Sequence, residues 1–336
     1  MNFLLVGLGS IGRKHLSSLN HFYPSAEIFV VDPAYTPGKQ TINSISFLVS
    51  AKIPVSISAN DIAIVANWGP DHFKSFLELV DAGVKRILIE KPLADSLYEL
   101  GKIEEICFQN EIILSVNHSW HFESLASRIL SISDSLGLGA PVLLTANGGA
   151  RCISTAGSHI IHLANQLFAS SPLTISGLGR SDSINPRNAS LSFYEGVFSF
   201  SYPGKQMLSI TYSNSSSITG DVLIYWKDAI GYLKEEEIEI YERPRNRDFA
   251  SIITRYGEPT ELIFRGIIPD LEDRLYRDVY DFLVKARFSD STKNLNEHLI
   301  SSQALIQALI ASELGIHTSP TMPHSDYITQ LKFGIS

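Results

Sequence analysis

The chain is short of cysteine, of basic runs and of long hydrophobic stretches, and each shortage removes a class of protein. Its two cysteines, Cys107 and Cys152, are too few and too isolated for a disulfide framework or a four-ligand zinc site. A reducing cytoplasm suits them best. No Lys/Arg cluster exceeds a dipeptide and the formal charge is −8, so a phosphate-backbone partner finds no electrostatic footprint and nucleic acid is not expected. No apolar run approaches the roughly 20 residues that cross a bilayer, and no membrane partner is expected. The opening Met1-Asn2-Phe3-Leu4-Leu5-Val6 carries no basic leader and runs into glycines, so it is expected to be a first strand rather than a signal peptide.

What is present is ordinary globular material. Hydrophobic residues make up 44% and charged residues 18% of 336 residues, enough apolar surface for a large core and enough length for two domains. The most acidic run, Glu235 to Glu237 followed by Ile238, Glu239 and Ile240, alternates like a strand with one wet face and is read as a solvated edge rather than a metal site.

Along the first 118 residues, short apolar runs alternate with amphipathic stretches, the pattern of βα units in a parallel sheet. The expected strands are Phe3–Val6, Glu27–Val31, Ile62–Ala66, Arg86–Ile89 and Ile112–Val116. Phe73, Phe76, Leu77 and Val80 share one helical face, with Gly83 as the stop. Ser96-Leu97-Tyr98-Glu99 forms a capping box for a helix running toward Asn110. Beyond residue 120, strand-like runs dominate: Val142–Ala146, Leu173–Leu178, Leu191–Tyr202, Gln206–Ser213 and Asp221–Trp226. Helices are expected over Ser158–Phe168, Asp270–Ala286 and Leu295–Leu314, with an irregular tail from His317. The fold class read from this is an α/β Rossmann domain over residues 1–120, followed over 121–336 by an α+β domain with an open, mainly antiparallel sheet that carries substrate binding and oligomerisation.

The sharpest motif is Gly7-Leu8-Gly9-Ser10-Ile11-Gly12, a G-x-G-x-x-G between an expected strand and an expected helix. Gly7 permits the tight turn, Gly9 clears the approach to a pyrophosphate, and Gly12 lets helix and strand pack closely, which leaves the helix N-terminus facing the phosphates. Asp32 ends the second strand twenty residues after Gly12, where a carboxylate accepts hydrogen bonds from ribose hydroxyls and repels a 2′-phosphate. NAD is therefore favoured, with NADP as the alternative because Lys39 lies nearby. Glu90-Lys91-Pro92 follows the fourth strand, at the carboxyl edge where open α/β sheets bind ligands. A lysine there can pass a proton to or from an oxygen as hydride arrives at or leaves carbon. Spacing alone allows equally a surface lysine before a turn.

With His15, the Ala66-Asn67 strand end, His72, Glu90-Lys91-Pro92 and Gly157-Ser158-His159-Ile160-Ile161, the chain resembles the glucose–fructose oxidoreductase, inositol dehydrogenase and rhizopine catabolism (Gfo/Idh/MocA) family over nearly its whole length. The resemblance implies a catalytic acid/base in Lys91, a substrate-contacting or proton-assisting His159, and Asn67, His72, Glu90 and Asn117 along the cofactor. It further implies hydride transfer between NAD(P) and a sugar, sugar nucleotide or cyclitol, in a homodimer or homotetramer. One departure stands out: the family's aspartate, four residues before its histidine, is Thr155 here, approached through Gly148-Gly149-Ala150-Arg151. A threonine cannot carry charge or act as a base at neutral pH. Three consequences stay open: Lys91 and His159 suffice; Arg151 receives an anionic substrate; or catalysis is lost and the chain is a dinucleotide-binding sensor or scaffold. A reductase of a non-sugar carbonyl or conjugated double bond also fits. His159 and His162 lie three apart on one helix, but with no third ligand in view no metal is expected. Trp120 and His121 at the junction are candidates to line the site or to pack the hinge.

Overall fold

A computed structural model describes residues 1–54, 57–118, 125–149, 151–185, 189–234, 237–243, 260–267, 271–321 and 325–335. Trp120, His121, Glu235 and Glu236 lie outside the described residues.

The first sheet holds β1 (Phe3–Val6), β2 (Ile28–Val31), β3 (Gly38–Ile42), β4 (Ile45–Ser50), β5 (Ile62–Val65), β6 (Arg86–Ile89) and β7 (Ile113–Val116), in the order β3-β4-β2-β1-β5-β6-β7. All neighbours run parallel except β3 and β4, an antiparallel edge hairpin. Every residue of β1 and β5 is buried, which is why these strands read as unbroken apolar runs rather than alternating ones. The layers are completed by α1 (Ser10–Phe22), α2 (His72–Asp81) and α3 (Leu97–Asn110). Ser96 caps α3 as expected, its Oγ accepting the Glu99 N–H at 3.2 Å.

The second sheet comprises β8 (Leu143–Gly149), β9 (Thr174–Ile184), β10 (Ser192–Ser201), β11 (Met207–Ser213), β12 (Val222–Tyr225), β13 (Ala229–Lys234), β14 (Glu237–Glu242), β15 (Glu261–Ile267) and β16 (His317–Thr318). Its order is β15-β14-β13-β12-β8-β11-β10-β9-β16, antiparallel throughout except for the β8–β11 pair. Alternation is clean on β13, β14 and β11, the mark of a sheet with one face covered. Helices α4 (Leu125–Leu136), α5 (Ser158–Phe168) and the 27-residue α7 (Phe288–Leu314) lie against it; buried Leu305, Ile306, Leu309 and Ile310 of α7 share one apolar cluster with Ile175, Phe198 and Phe200 of the sheet. A Rossmann-like parallel sheet followed by a mainly antiparallel one is the fold class read from sequence.

Two features depart from that reading. Helix α6 (Leu271–Lys285) returns to the first sheet: Val279, Tyr280 and Leu283 are buried with Phe3, Leu5, Ile62 and Leu88, and the Arg86 guanidinium donates to the Leu283 and Ala286 carbonyls. The tail, expected to be irregular, carries two short regular elements among its described residues. After β16 and α8 (Asp326–Gln330), the Phe333 and Ile335 side chains are buried and their N–H groups donate to Asp95 Oδ1 at 3.1 and 3.3 Å. Apolar side chains at these two positions, and a carboxylate placed to receive both amides, hold the tail against the first domain.

Candidate active site

Chain geometry at the end of β1 makes two of its glycines obligatory and leaves a third facing open space. Gly7 turns with φ +93°, and a Cβ there would stand 2.7 Å from the Asn67 nitrogen; a Cβ on Gly12 would collide with the Gly7 carbonyl. Both positions are packing requirements of the β1–α1–β5 junction. At Gly9, by contrast, a Cβ meets nothing within 4 Å. Gly9 and Ser10 are exposed, Ile11 is half-buried, and no side chain caps α1. The first N–H groups of α1 thus face an open cradle, which suits a pyrophosphate. Asp32 lies one residue past β2. Its Oδ2 accepts the Leu8 N–H at 2.6 Å and its Oδ1 the Ala34 N–H at 2.8 Å, so it braces the glycine turn while each oxygen keeps acceptor capacity for a ribose hydroxyl. These residues fit an NAD-type cofactor.

Glu90, buried at the end of β6, is the centre of a hydrogen-bonded chain. Its Oε1 faces His15 Nε2 at 2.7 Å and accepts the Asn117 amide at 2.7 Å, while His15 Nδ1 meets the Tyr280 hydroxyl at 2.6 Å. Burial alone would raise its pKa, but the His15 bond and charge interaction, then Asn117 and Lys91, outweigh it and hold the carboxyl below its usual range. Tyr280 is driven well above the ordinary phenol value by burial, so its hydroxyl keeps its proton. His72 does not line an open cleft: it is 1% exposed, with Nδ1 on the Pro92 carbonyl at 2.7 Å and Nε2 on the Asn67 carbonyl at 3.1 Å. Burial lowers its pKa; uncharged, it has one N–H, and the shorter contact takes it. Asn67 donates to Ser75 Oγ at 2.9 Å. Glu90 and His72 therefore hold the two sides of Lys91-Pro92, and the half-buried Lys91 stands at the carboxyl edge of the sheet.

From the chain beyond the first sheet come Arg151, Thr155 and His159, all half-buried. The Gly148-Gly149 approach is demanded by packing, since a Cβ on either would collide with the backbone of Gly220 or Ser216. Burial, then the charges of Lys91, His162 and Arg151, push the His159 pKa down to about 3. Lys91 and Arg151 are thus both close enough to act on one imidazole, which stays uncharged. Burial raises the Tyr212 phenol to about 12, partly offset by the Arg151 guanidinium. Thr155 faces the Cys152 sulfur at 3.2 Å and carbonyl at 3.4 Å through its hydroxyl, a local turn contact. The fold brings together the expected Lys91, His159, Arg151, Glu90 and Asn117. It adds Tyr280 and the buried His118 and His298, which no local motif announces; His118 lies edge-on to His159 at 6.1 Å between ring centroids.

Residues 1–118 match a family described as an oxidoreductase family with an NAD-binding Rossmann fold. Over 108 residues the chain is 28% identical to an inositol 2-dehydrogenase/D-chiro-inositol 3-dehydrogenase of Halalkalibacterium halodurans, covering 31% of each chain. Over 143 residues it is 23% identical to inositol 2-dehydrogenase 3 of Saccharopolyspora erythraea, covering 41% of this chain and 42% of the relative. The matched stretches thus span less than half the length of these curated relatives. Among solved structures, a UDP-N-acetylglucosamine 3-dehydrogenase of Acidithiobacillus ferrooxidans superposes with a TM-score of 0.63 at 15% identity, covering 94% of this chain and 98% of that one. An NAD-binding oxidoreductase of Klebsiella pneumoniae gives 0.67 at 12% identity, covering 96% and 100%. At these identities the likeness is one of fold.

Proposed function

We propose that this chain, whose residues 1–118 match the NAD-binding Rossmann fold of the Gfo/Idh/MocA oxidoreductases, is an NAD-dependent dehydrogenase or reductase acting on a hydroxyl- or carbonyl-bearing carbon of a sugar, sugar nucleotide or cyclitol, with NADP as the alternative cofactor. The observation that carries this reading is the position of Lys91 at the carboxyl edge of β6, with buried Glu90 behind it and His159 opposite. The bound dinucleotide supplies or accepts the hydride. Lys91 moves the accompanying proton at the substrate oxygen, an ammonium donating in reduction and an amine accepting in oxidation. The uncharged His159 imidazole offers one donor and one acceptor to an adjacent hydroxyl. Glu90 orients Lys91 and keeps negative charge beside it. Arg151 favours a substrate carrying carboxylate or phosphate, since a guanidinium pairs with either in a bidentate fork. The outer face of the second sheet supports a homodimer or homotetramer: Leu178, 81% exposed, pairs across the ladder with Val197, 45% exposed.

The test is the Lys91→Met variant assayed for NADH binding and for turnover against sugars, uronic acids, polyols and nucleotide sugars. Loss of turnover with NADH binding intact is expected; undiminished turnover overturns the assignment. Thr155 in place of the family's aspartate favours a second reading, a dinucleotide sensor without redox chemistry. Tight NADH binding without turnover across the whole panel supports that reading instead.

A further inference from the structure

Behind His159, at the junction of the two domains, three more histidines meet. His118 follows β7, His162 lies on α5 and His298 on α7; they are 2%, 1% and 0% exposed. One ring nitrogen from each lies within 4.8 Å of the others, the one such group of potential metal ligands among the described residues. We propose that these three imidazoles form a buried site for a divalent transition ion of the zinc class, which ties β7, α5 and α7 together beneath the catalytic cleft.

The hydrogen bonds around the cluster give it the form of a ligand set. Ser301 donates its hydroxyl proton to the Glu297 carbonyl at 2.9 Å, so the 2.9 Å contact between His162 Nδ1 and Ser301 Oγ is donated by the imidazole. The Asn165 amide donates to the same oxygen at 3.1 Å. His162 is thereby fixed as the Nδ1–H tautomer, which puts the lone pair on Nε2. His298 Nε2 is engaged by Ser115 Oγ at 3.1 Å, and its Nδ1 faces His118 Nδ1 at 2.9 Å. Outer hydroxyl partners such as Ser301 on His162 and Ser115 on His298 are the usual surroundings of metal-bound histidine. Two imidazole nitrogens 2.9 Å apart share either a proton or a cation. With bonds of about 2.1 Å at a right angle, a shared cation separates its ligand nitrogens by about 3.0 Å, and at a tetrahedral angle by about 3.4 Å. The His118–His298 edge already has such a length.

His162 is the ring that moves on binding. It stacks on His118 at 4.6 Å and 15°, and on His298 at 5.2 Å and 21°, so its plane tilts out of the stack to aim Nε2 at the ion. An all-imidazole donor set selects zinc, cobalt, nickel or copper over magnesium or calcium, which take oxygen ligands. Three imidazoles leave one tetrahedral position for a further donor, and full burial sets the site apart from the half-buried Lys91 and His159. The sequence paired His162 with His159 and offered no third ligand; the fold instead supplies His118 and His298, from positions 44 residues before and 136 after it.

The test uses the full chain, desalted and analysed for metals by mass spectrometry, then stripped with a chelator and titrated with cobalt(II) while visible d–d absorption is followed. One equivalent of metal retained by the protein, or one equivalent of cobalt giving d–d bands, is expected. His298→Ala and His162→Asn should lose both signals. Ser301→Ala removes only the outer hydroxyl and should weaken cobalt binding by about 10–100-fold, which keeps the test meaningful if a ligand variant fails to fold. The surface variant His21→Ala should change nothing. A wild-type chain that retains no metal and gives no cobalt absorption overturns the proposal and leaves a stack of imidazoles sharing protons.

Discussion

Replacing Glu90 offers a strong test of how the proposed proton-transfer site is held. One carboxylate oxygen receives both His15 and Asn117 at 2.7 Å, and His15 in turn meets Tyr280. In Glu90→Ala both donors lose their acceptor: His15, 0% exposed, is closed to water, while Asn117 is half-buried. An orphaned buried donor costs about 1–3 kcal/mol, which His15 bears in full, while water can reach half-buried Asn117 and reduces its share. Glu90→Gln keeps an acceptor oxygen but not the charge; trading charge-assisted for neutral hydrogen bonds costs about 1–2 kcal/mol. Removing the charge beside Lys91 also favours its neutral form, so the alkaline limb of any pH–rate profile should move to lower pH. Urea unfolding of the dinucleotide-free protein measures the stabilities, with Tyr280→Phe as a milder companion at about 1 kcal/mol. If Glu90→Ala unfolds within about 0.5 kcal/mol of wild type, the extent of a neutral surface substitution, the shared-acceptor argument fails.

Three further outcomes follow from the same geometry. Gly12→Ala, which drives a methyl into the Gly7 carbonyl, should abolish NADH fluorescence enhancement while leaving far-ultraviolet circular dichroism largely unchanged; wild-type binding contradicts the close packing of turn and helix. Asp32→Ser removes the charge that repels a 2′-phosphate but keeps a short hydrogen-bonding group near the Leu8 and Ala34 amides, so the NADP-to-NAD affinity ratio should rise about tenfold or more, at 1.4 kcal/mol per factor of ten; an unchanged ratio argues that Asp32 only braces the turn. Burial, opposed by the Ile335 amide and reinforced by Glu99, raises Asp95 from 3.8 to about 6; a raised carboxyl contributes stability that is full below pH 4 and lost as pH rises through about 6, worth up to about 3 kcal/mol. Asp95→Asn should remove that pH dependence in thermal unfolding, and parallel pH profiles for variant and wild type would contradict it.

The parts legible in sequence are those whose physics is local. β1 and β6 span the residues read from their apolar runs, and α5 spans Ser158–Phe168, because a strand buried on both faces or a helix with one apolar face writes its period into consecutive residues. The β3–β4 hairpin was not anticipated. Gly38–Ile42 is mostly exposed and polar at the sheet edge, and its turn uses Asn43 and Ser44 with positive φ, a weaker signal than Asn-Gly. Helix α4 and the outer strands β13 and β15 were likewise missed, the latter because Glu261–Ile267 is exposed at both ends and only partly buried between.

The site shows the same division more sharply. The glycine turn and Asp32 depend on backbone geometry within the first βαβ unit, so type and spacing mark them, whereas spacing alone leaves Lys91 equally a surface lysine and only the family resemblance singles it out. What gives these residues their chemistry comes from afar. His15 and Glu90 are 75 residues apart, and Tyr280 stands 265 residues from His15 on a helix that crosses back from beyond the second sheet. A sequence window sees Tyr280 only as one apolar position of α6, since its hydroxyl acquires meaning when Phe3, Leu5 and Ile62 bury the ring and leave His15 as its partner. The part of the chain that carries Arg151 and His159 therefore also packs behind Glu90 through α6. A change that loosens α6 should weaken Glu90, and through it Lys91, without touching either residue.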